Sequence, residues 1–183
     1  MIERSERRRR WIVFFTIAIV VIVVDQLSKA WIDANFVLAS PYPIPGGSQP
    51  TPIIGDFVRI AKSYNSGGIF GLFGNSALIL ALASTLVIGM IVVYQWREGM
   101  RPGGWLLTVA LGLLLGGAVG NFLDRIRHEH VIDFVDMGIG TWRWYTFNVA
   151  DAAISVALLL LILLTIFGTR LSRGSTHAPQ TAA

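Results

Sequence analysis

The sequence from residue 120 to residue 151 reads GNFLDRIRHEHVIDFVDMGIGTWRWYTFNVAD and separates two long apolar runs. It holds four aspartates, Asp124, Asp133, Asp136 and Asp151. Asp133 in VIDF and Asp151 in FNVAD stand among apolar neighbours. A carboxylate at the edge of a lipid bilayer is unfavourable unless it has a function. The apolar runs therefore decide the fold, and the stretch between them is where we expect the functional site.

The composition is that of a small membrane protein. Of the 183 residues, 54% are hydrophobic and 14% are charged, whereas soluble domains carry roughly 25% charged residues. The sequence has no cysteine, which excludes disulfides, thiol nucleophiles and zinc–thiolate sites. The net charge of +4 comes from basic residues that flank apolar runs. We therefore expect membrane lipids, and not nucleic acid, as partners.

Four apolar segments predict transmembrane helices at about residues 11–31, 77–96, 104–123 and 147–167. Each is near the roughly 20 residues that cross a bilayer. Glycines at four-residue spacing in the third segment predict close helix packing. Residues 124–146 are expected to form a long loop. The fold class predicted is an α-helical polytopic membrane protein.

Basic residues near the two ends of the chain predict its orientation. The N-terminal MIERSERRRR is expected to be a solvated stub, and residues 168–183 a disordered basic tail. The termini and the connection between the second and third helices carry nine lysines and arginines, against five on the other side. The positive-inside rule then places both termini in the cytoplasm.

A proline-rich region follows the first predicted helix. Residues 36–74 hold five of the seven prolines, which argues against helix. Residues 53–64 have the β-branched and aromatic content of short strands, with a turn expected at Gly55 and Asp56. We expect a small extra-cytoplasmic β-rich lobe, joined to the second helix by a glycine-rich turn. The chain, residues 1–183, is expected to be a single domain.

Asp133 and Asp151 are the strongest candidates for catalysis. If the loop returns Asp133 to the level of Asp151, the two carboxylates share one proton and titrate as a unit. One then activates water as a base, and the other protonates the scissile carbonyl or the leaving amine. The structural alternatives are a helix N-cap or an ion pair with an arginine. A cap fits Asp151 poorly, because residues 147–150 already have helical character.

Asp25 and Lys29 lie four residues apart on the outer half of the first predicted helix. Acid before base is the favourable orientation for such a pair. An ion pair that locks helix packing is at least as well supported as a direct role in catalysis. We therefore expect the pair to be a scaffold for the site.

Other polar residues near the outer ends of apolar segments are weaker candidates. Asn65, Asn121 and Asn148 suit either the binding of a peptide backbone or helix capping. Arg125 suits a substrate carbonyl or a lipid ester, although snorkelling to headgroups is the better default.

Two further clusters have ordinary explanations. HEH at residues 128–130 resembles a fragment of a metal site, but no third ligand is evident. We therefore expect no metal and no other cofactor. Trp142, Trp144 and Tyr145 suit an aromatic belt at the membrane interface, and they are also placed to lean over the site.

Four segments, in order, resemble the lipoprotein signal peptidases of bacteria (signal peptidase II). They are VVDQLSKAW at residues 23–31, NSGGIFG at 65–71, GGAVGNFLDRIRHEHVIDF at 116–134 and FNVADAAIS at 147–155. The resemblance extends over nearly the whole chain. One departure is Ile69, where the family usually has alanine.

The resemblance implies an intramembrane aspartic endopeptidase of the bacterial inner membrane that is blocked by globomycin. Its substrates would be lipid-modified prolipoproteins, cut just before the diacylglyceryl-modified cysteine by Asp133 and Asp151, near the extra-cytoplasmic face. We expect the enzyme to be a monomer. The implied supporting or substrate-contacting residues are Asp25, Lys29, Asn65, Gly67, Asn121, Asp124, Arg125, Asn148 and Ala150.

Two other functions are open at this stage. A small proton-coupled transporter would use Asp25, Lys29 and Asp151 as a relay, but transporters place such groups near the bilayer midplane and on broken helices. A structural membrane subunit would use the glycine face of the third helix to bind partners. That function leaves the aspartates unexplained, so the sequence favours the enzyme.

Overall fold

The computed structural model describes residues 3–39, 48–66, 77–101 and 104–173. Two residues singled out from the sequence, Gly67 and Ile69, lie outside these ranges, as does most of the predicted glycine-rich turn.

Within the described part of the chain, four helices are long and apolar enough to cross a membrane. They are α1 (Arg4–Asn35), α2 (Ala77–Tyr94), α3 (Trp105–His128) and α4 (Val149–Arg173). A single π-helical turn, Gln95–Gly99, continues α2. Together with the small sheet described below, these helices confirm the predicted fold class.

The N-terminal basic segment is helical, and the prediction that it is solvated holds for Arg4, Arg7, Arg8 and Arg9 but not for Arg10. Helix α1 begins at Arg4, and Arg10 is only 1% exposed. The Arg10 Nη1 atom donates to the carbonyl oxygens of Gly99 and Arg101, each at 2.6 Å. A Cβ on Gly104 would lie 2.8 Å from that Nη1 atom, so glycine is needed where the arginine passes. These tertiary contacts hold the start of α1 against the connection between α2 and α3.

Helix α3 lies at the centre of the bundle and is in contact with the other three helices. Its glycines allow the close approach that their spacing predicts: a Cβ on Gly116 would lie 2.6 Å from the Cβ of Val21. A Cβ on Gly117 would lie 2.5 Å from the carbonyl oxygen of Ala150. The apolar core between α1, α2 and α3 consists of Phe14, Ala18, Ile91, Leu111 and Leu115.

A four-stranded antiparallel sheet covers one end of the bundle. Its strands, in spatial order, are β1 (Thr51–Ile54), β2 (Val58–Asn65), β3 (Val131–Ile139) and β4 (Trp142–Arg143). Gly55 has φ +52° in the turn between β1 and β2, where the sequence predicts a turn. The sheet packs on the bundle through Ile32, Ile132 and Phe134.

The prediction of a long loop over residues 124–146 was wrong. Helix α3 continues to His128 and is ended by Glu129, which adopts a left-handed conformation with φ 62°. Strands β3 and β4 then follow. Strand β3 begins with four buried residues in succession. A strand that is buried on both faces lacks the polar–apolar alternation by which strands are recognised in a sequence.

The start of α4 also differs from the prediction. Phe147 is extended and exchanges two backbone hydrogen bonds with Val135, at 2.8 and 3.1 Å. The helix begins at Val149, so residues 147 and 148 belong to the segment that connects β4 to α4 and not to the helix. At its other end α4 runs to Arg173, into the predicted disordered tail. Residues 174–183 lie outside the described part of the chain.

Candidate active site

The sheet and the start of α4 bring Asp133 and Asp151 to the same cleft, of about 640 Å³. Asp133 comes from β3, and Asp151 from the first turn of α4. The cleft is also lined by Asn65, Arg125, Trp144, Tyr145, Thr146, Phe147, Ala152, Ser155 and Val156. The two carboxylates therefore face a space that is lined mainly by aromatic and aliphatic side chains, with a few polar groups among them.

Two amide groups hold the carboxyl group of Asp133. Asn148 Nδ2 donates to its Oδ1 at 2.7 Å, and Asn65 Nδ2 donates to its Oδ2 at 3.2 Å. Asn65 is positioned for this contact because β2 pairs with β3, with Ser63 opposite Asp133. Burial, together with the nearby charge of Asp151, raises the pKa of Asp133 to about 7. Asp133 is therefore able to exchange a proton near neutral pH.

Asp151 both caps its helix and faces the cleft. Its backbone N–H donates to Asn148 Oδ1 at 2.9 Å, and its Oδ2 accepts the backbone N–H of Asn148 at 3.3 Å. This reciprocal pair is a capping box in which Asn148 is the N-cap and Asp151 the third helical residue. Asp151 is therefore not the N-cap, as expected, but the reason differs: residues 147 and 148 are not helical, and the helix begins at Val149. Capping and a role in the cleft are compatible, since Oδ1 of Asp151 accepts from Asn121 Nδ2 at 2.7 Å.

Lys29 is the buried cation behind the two carboxylates. Its Nζ lies 2.8 Å from carboxylate oxygens of both Asp25 and Asp124, and 3.1 Å from Oδ1 of Asn121. The interaction between Asp25 and Lys29 that their spacing predicts is present. Because Oδ1 of Asn121 accepts from Lys29, its Nδ2 is left to donate to Asp151.

Asp25 and Asp124 connect α1 and α3 to the elements that carry the cleft carboxylates. Asp25 Oδ1 accepts the backbone N–H of Ala150 at 2.9 Å, which fastens the first turn of α4. Asp124 Oδ2 accepts the backbone N–H of Ile132, next to Asp133, at 3.2 Å. A Cβ on Gly120 would lie 2.6 Å from Asp25, so α1 and α3 are close here. Ala150 contributes its backbone to the site.

Gln26 belongs to this network, although the sequence analysis did not single it out. Its Nε2 donates to Asp124 Oδ1 at 2.8 Å and to the Gly120 carbonyl at 3.2 Å, and its Oε1 accepts from Arg127 at 2.9 Å. A polar amide beside Asp25 at the end of an apolar run was the signal available in the sequence.

Arg125 reaches the cleft from the last turn of α3. Its Nη1 donates to the Asn121 carbonyl at 3.3 Å, and its side chain lines the cleft with the two aspartates. A half-buried guanidinium in this position provides a donor for a carbonyl or ester oxygen of a bound molecule.

A second ionic network, also not predicted, holds the sheet together beside the cleft. Asp136 is fully buried, and its carboxylate accepts Nε of Arg59 at 2.7 Å and Nε of Arg143 at 2.9 Å. Arg143 also donates to the Asp56 carbonyl at 2.7 Å. The network joins the turn between β1 and β2 to the turn between β3 and β4. Arg143 directly precedes Trp144, so the network also fixes the position at which the aromatic wall of the cleft begins.

The aromatic cluster and the HEH segment that were singled out from the sequence do not form one site. Trp144 and Tyr145 line the cleft, whereas Trp142 lies on a neighbouring surface with Phe57. The His130 ring contacts that of Tyr64, with centroids 4.0 Å apart and planes tilted by 40°. Within the described ranges, no group of three His, Asp or Glu side chains has metal-binding geometry.

Comparison with known proteins identifies the family. The family model described as signal peptidase (SPase) II matches residues 17–167. The chain belongs to the signal peptidase II family. The resemblance read from the sequence motifs is thereby confirmed.

Relatives of this family match the chain over most of its length. The lipoprotein signal peptidase of Bacillus pumilus is 33% identical over 89% of this chain and 98% of the relative. That of Moorella thermoacetica is 36% identical over 81% of this chain and 89% of the relative. A solved bacterial membrane enzyme at 22% identity has the same fold, with a TM-score of 0.73 over 93% of this chain and 94% of the other.

Proposed function

We propose that the protein is an aspartic endopeptidase of the membrane that removes signal peptides from prolipoproteins, with Asp133 and Asp151 as its catalytic pair. Membership in the signal peptidase II family supports proteolysis in lipoprotein processing. The observation that carries the aspartic mechanism is the cleft in which two carboxylates are held by amides and not neutralised by a direct ion pair.

The pair holds one proton between its two carboxyl groups near neutral pH, because a second negative charge in the same buried cleft is unfavourable. The ionised carboxylate removes a proton from a water molecule, and the water oxygen attacks the scissile carbonyl carbon. The protonated carboxyl group donates its proton to the carbonyl oxygen. Collapse of the tetrahedral intermediate breaks the C–N bond, and the leaving amine takes up a proton from the pair.

The substrate proposed is a diacylglyceryl-modified prolipoprotein, cut just before its modified cysteine. The apolar side of the cleft on α4, at Ala152 and Val156, is suited to a lipid-anchored peptide that arrives within the bilayer. Arg125 supplies a donor for a substrate carbonyl or ester oxygen. The distribution of basic residues supports an orientation with both termini in the cytoplasm and the cleft near the extra-cytoplasmic face.

A proton-coupled transporter has less support. Among the described residues, the buried ionisable groups lie at the two ends of the bundle: Arg10 at one end, and the groups around Lys29 and in the sheet at the other. The apolar core around Phe14, Leu111 and Leu115 separates them, and a proton relay needs ionisable or hydroxyl groups in succession.

Cleavage of a lipidated precursor by the purified protein in detergent tests the proposal. Asp133→Asn and Asp151→Asn keep the side-chain size but remove the base and the shared proton, so each is expected to reduce turnover by at least about 10³-fold. Asp56→Asn, in the exposed turn of the sheet, is the matched control and should retain turnover.

Globomycin should inhibit the wild-type protein in the same assay. Near-normal turnover by either folded Asp133 or Asp151 variant would exclude the pair as the catalytic groups and return Asp124 and Asp25 to consideration.

A further inference from the structure

The arginines in the first two turns of α1 point in different directions, although the sequence presents them as one basic run. Arg10 faces the bundle and is buried. Arg4, Arg7 and Arg8 line a shallow groove on the outer surface of α1. Arg9 is exposed but does not line that groove. Arg10 therefore lies on the side of α1 that faces the bundle, whereas Arg4, Arg7 and Arg8 lie on the outward side.

The groove continues from the arginines onto an apolar surface. Trp11, Phe15 and Ile19 line it below the basic cluster, and the groove holds about 560 Å³. The rings of Trp11 and Phe15 are stacked, with centroids 5.5 Å apart and planes 18° apart. From Arg4 to Ile19 the helix rises roughly 22 Å, which is about the length of a lipid headgroup with the chain beneath it.

The three arginines in the groove have no acidic partner among the described residues. The Glu6 carboxylate pairs with Arg10, and the Glu3 carboxylate accepts the Ser5 hydroxyl. The groove therefore carries three positive charges directly above a surface that faces hydrocarbon in a bilayer. Such an arrangement is stabilised by an anion that is itself attached to an apolar chain.

We propose that this groove binds one anionic phospholipid, with its phosphate among Arg4, Arg7 and Arg8 and an acyl chain along Trp11, Phe15 and Ile19. Guanidinium groups bind phosphate oxygens through paired hydrogen bonds. A zwitterionic lipid brings a cationic amine to the same arginines and is therefore bound less well. The site lies at the end of the bundle opposite the carboxylate cleft and does not depend on the proposed function.

Native mass spectrometry of the intact protein, with phosphatidylglycerol and phosphatidylcholine in competition, tests the proposal. The wild-type protein should retain one phosphatidylglycerol with at least tenfold preference. The double variant Arg7→Gln/Arg8→Gln should lose most of that preference. Arg9→Gln is the control, because it removes one positive charge from a neighbouring position outside the groove, and it should behave as wild type.

Two results would overturn the site. One is equal retention of the two lipids by the wild-type protein. The other is a loss in Arg9→Gln as large, per charge removed, as in Arg7→Gln/Arg8→Gln, which would mean that only the total charge matters.

A second measurement places the acyl chain. Phosphatidylglycerol with brominated chains should quench the fluorescence contributed by Trp11, obtained as the difference between the wild-type protein and Trp11→Phe. Soluble glycerol phosphate should not displace the lipid at matched concentration. Absence of quenching from Trp11, or displacement by glycerol phosphate, would show that the arginines bind phosphate without a lipid in the groove.

Discussion

Lys29 Nζ donates to Oδ1 of Asn121 at 3.1 Å, and Asn148 Nδ2 donates to the same oxygen at 3.2 Å. These two bonds determine which end of the Asn121 amide faces Asp151. With its oxygen held by the lysine, Asn121 presents Nδ2 to the Asp151 carboxylate at 2.7 Å. Lys29 therefore acts on the cleft through the amide and through its charge, without a direct contact to either cleft carboxylate. The lysine is a positioning residue in the proposed peptidase.

Lys29→Met should destabilise the protein by about 3–5 kcal/mol, because the carboxylates of Asp25 and Asp124 remain buried without their cation. Thermal unfolding in detergent measures the change. Lys62→Met is the control, since Lys62 is also buried but pairs with a single, exposed carboxylate, that of Asp33. An equal loss in the two variants would contradict the special role assigned to the Lys29 cluster.

Asn148→Ser should separate the two roles of Asn148. Serine is a good N-cap, so α4 should keep its stability to within about 1 kcal/mol. The Nδ2 donor to Asp133 is lost, however, and turnover of a lipidated precursor should fall roughly tenfold or more. Unchanged turnover together with an unchanged unfolding temperature would show that Asn148 serves only as a cap.

The stability of the wild-type protein should depend on pH through Asp133. Its pKa is about 7 in the folded protein against 3.8 for the unperturbed group. The folded state therefore binds the proton more tightly, and the associated stability is complete below pH 3.8 and lost as pH rises through 7. The loss approaches about 1.4 kcal/mol per pH unit between those values.

Asp133→Asn has no carboxyl group to titrate at this position, so it provides the reference. The stability of wild type relative to this variant, from unfolding in detergent at pH 5, 6, 7 and 8, should decrease up to pH 7 and then level off. A constant difference across this range would contradict the raised pKa.

Asp136→Asn should weaken substrate binding more than catalysis. The substitution leaves Arg59 and the buried Arg143 side chain without their shared carboxylate, which should cost about 3–5 kcal/mol. Trp144, which lines the cleft, directly follows Arg143 and should shift with it. Asp133 is held by Asn148, which is not part of the Asp136 network, and should stay in place. KM should therefore rise several-fold with a smaller change in kcat.

Asp56→Asn is the control for that measurement, because Asp56 belongs to the same network but is 53% exposed. Its effect on KM should be small. If Asp136→Asn lowers kcat without a change in KM, the network supports the carboxylates and not the aromatic wall.

Gly120→Ala should be destabilising, because the added methyl group would lie 2.6 Å from an oxygen of the buried Asp25 carboxylate. That carboxylate is fixed by Lys29 and by the backbone of Ala150, so it has no room to move. We expect a loss of about 1–3 kcal/mol. Gly89→Ala, in α2 with no atom within 4 Å of the new methyl group, should be neutral or stabilising, and both are measured by thermal unfolding.

Much of the architecture and of the candidate site follows from local sequence. Four apolar runs of sufficient length predict the four spanning helices, because the thickness of a bilayer sets a length that is readable in one dimension. The pairing of Asp25 with Lys29 follows from helical spacing alone. The unusual position of Asp133 and Asp151 among apolar residues identifies them as functional candidates.

Only the tertiary structure decided the rest. Gln26, Asp136 and Arg10 look like ordinary polar residues in the sequence, and each binds at least one partner that is 77 or more residues away. Strand β3 is hidden because neighbours on both faces bury it, and α4 begins at Val149 because β3 pairs with Phe147. Periodicity reports contacts within one element, whereas these contacts join distant elements, so no local pattern records them.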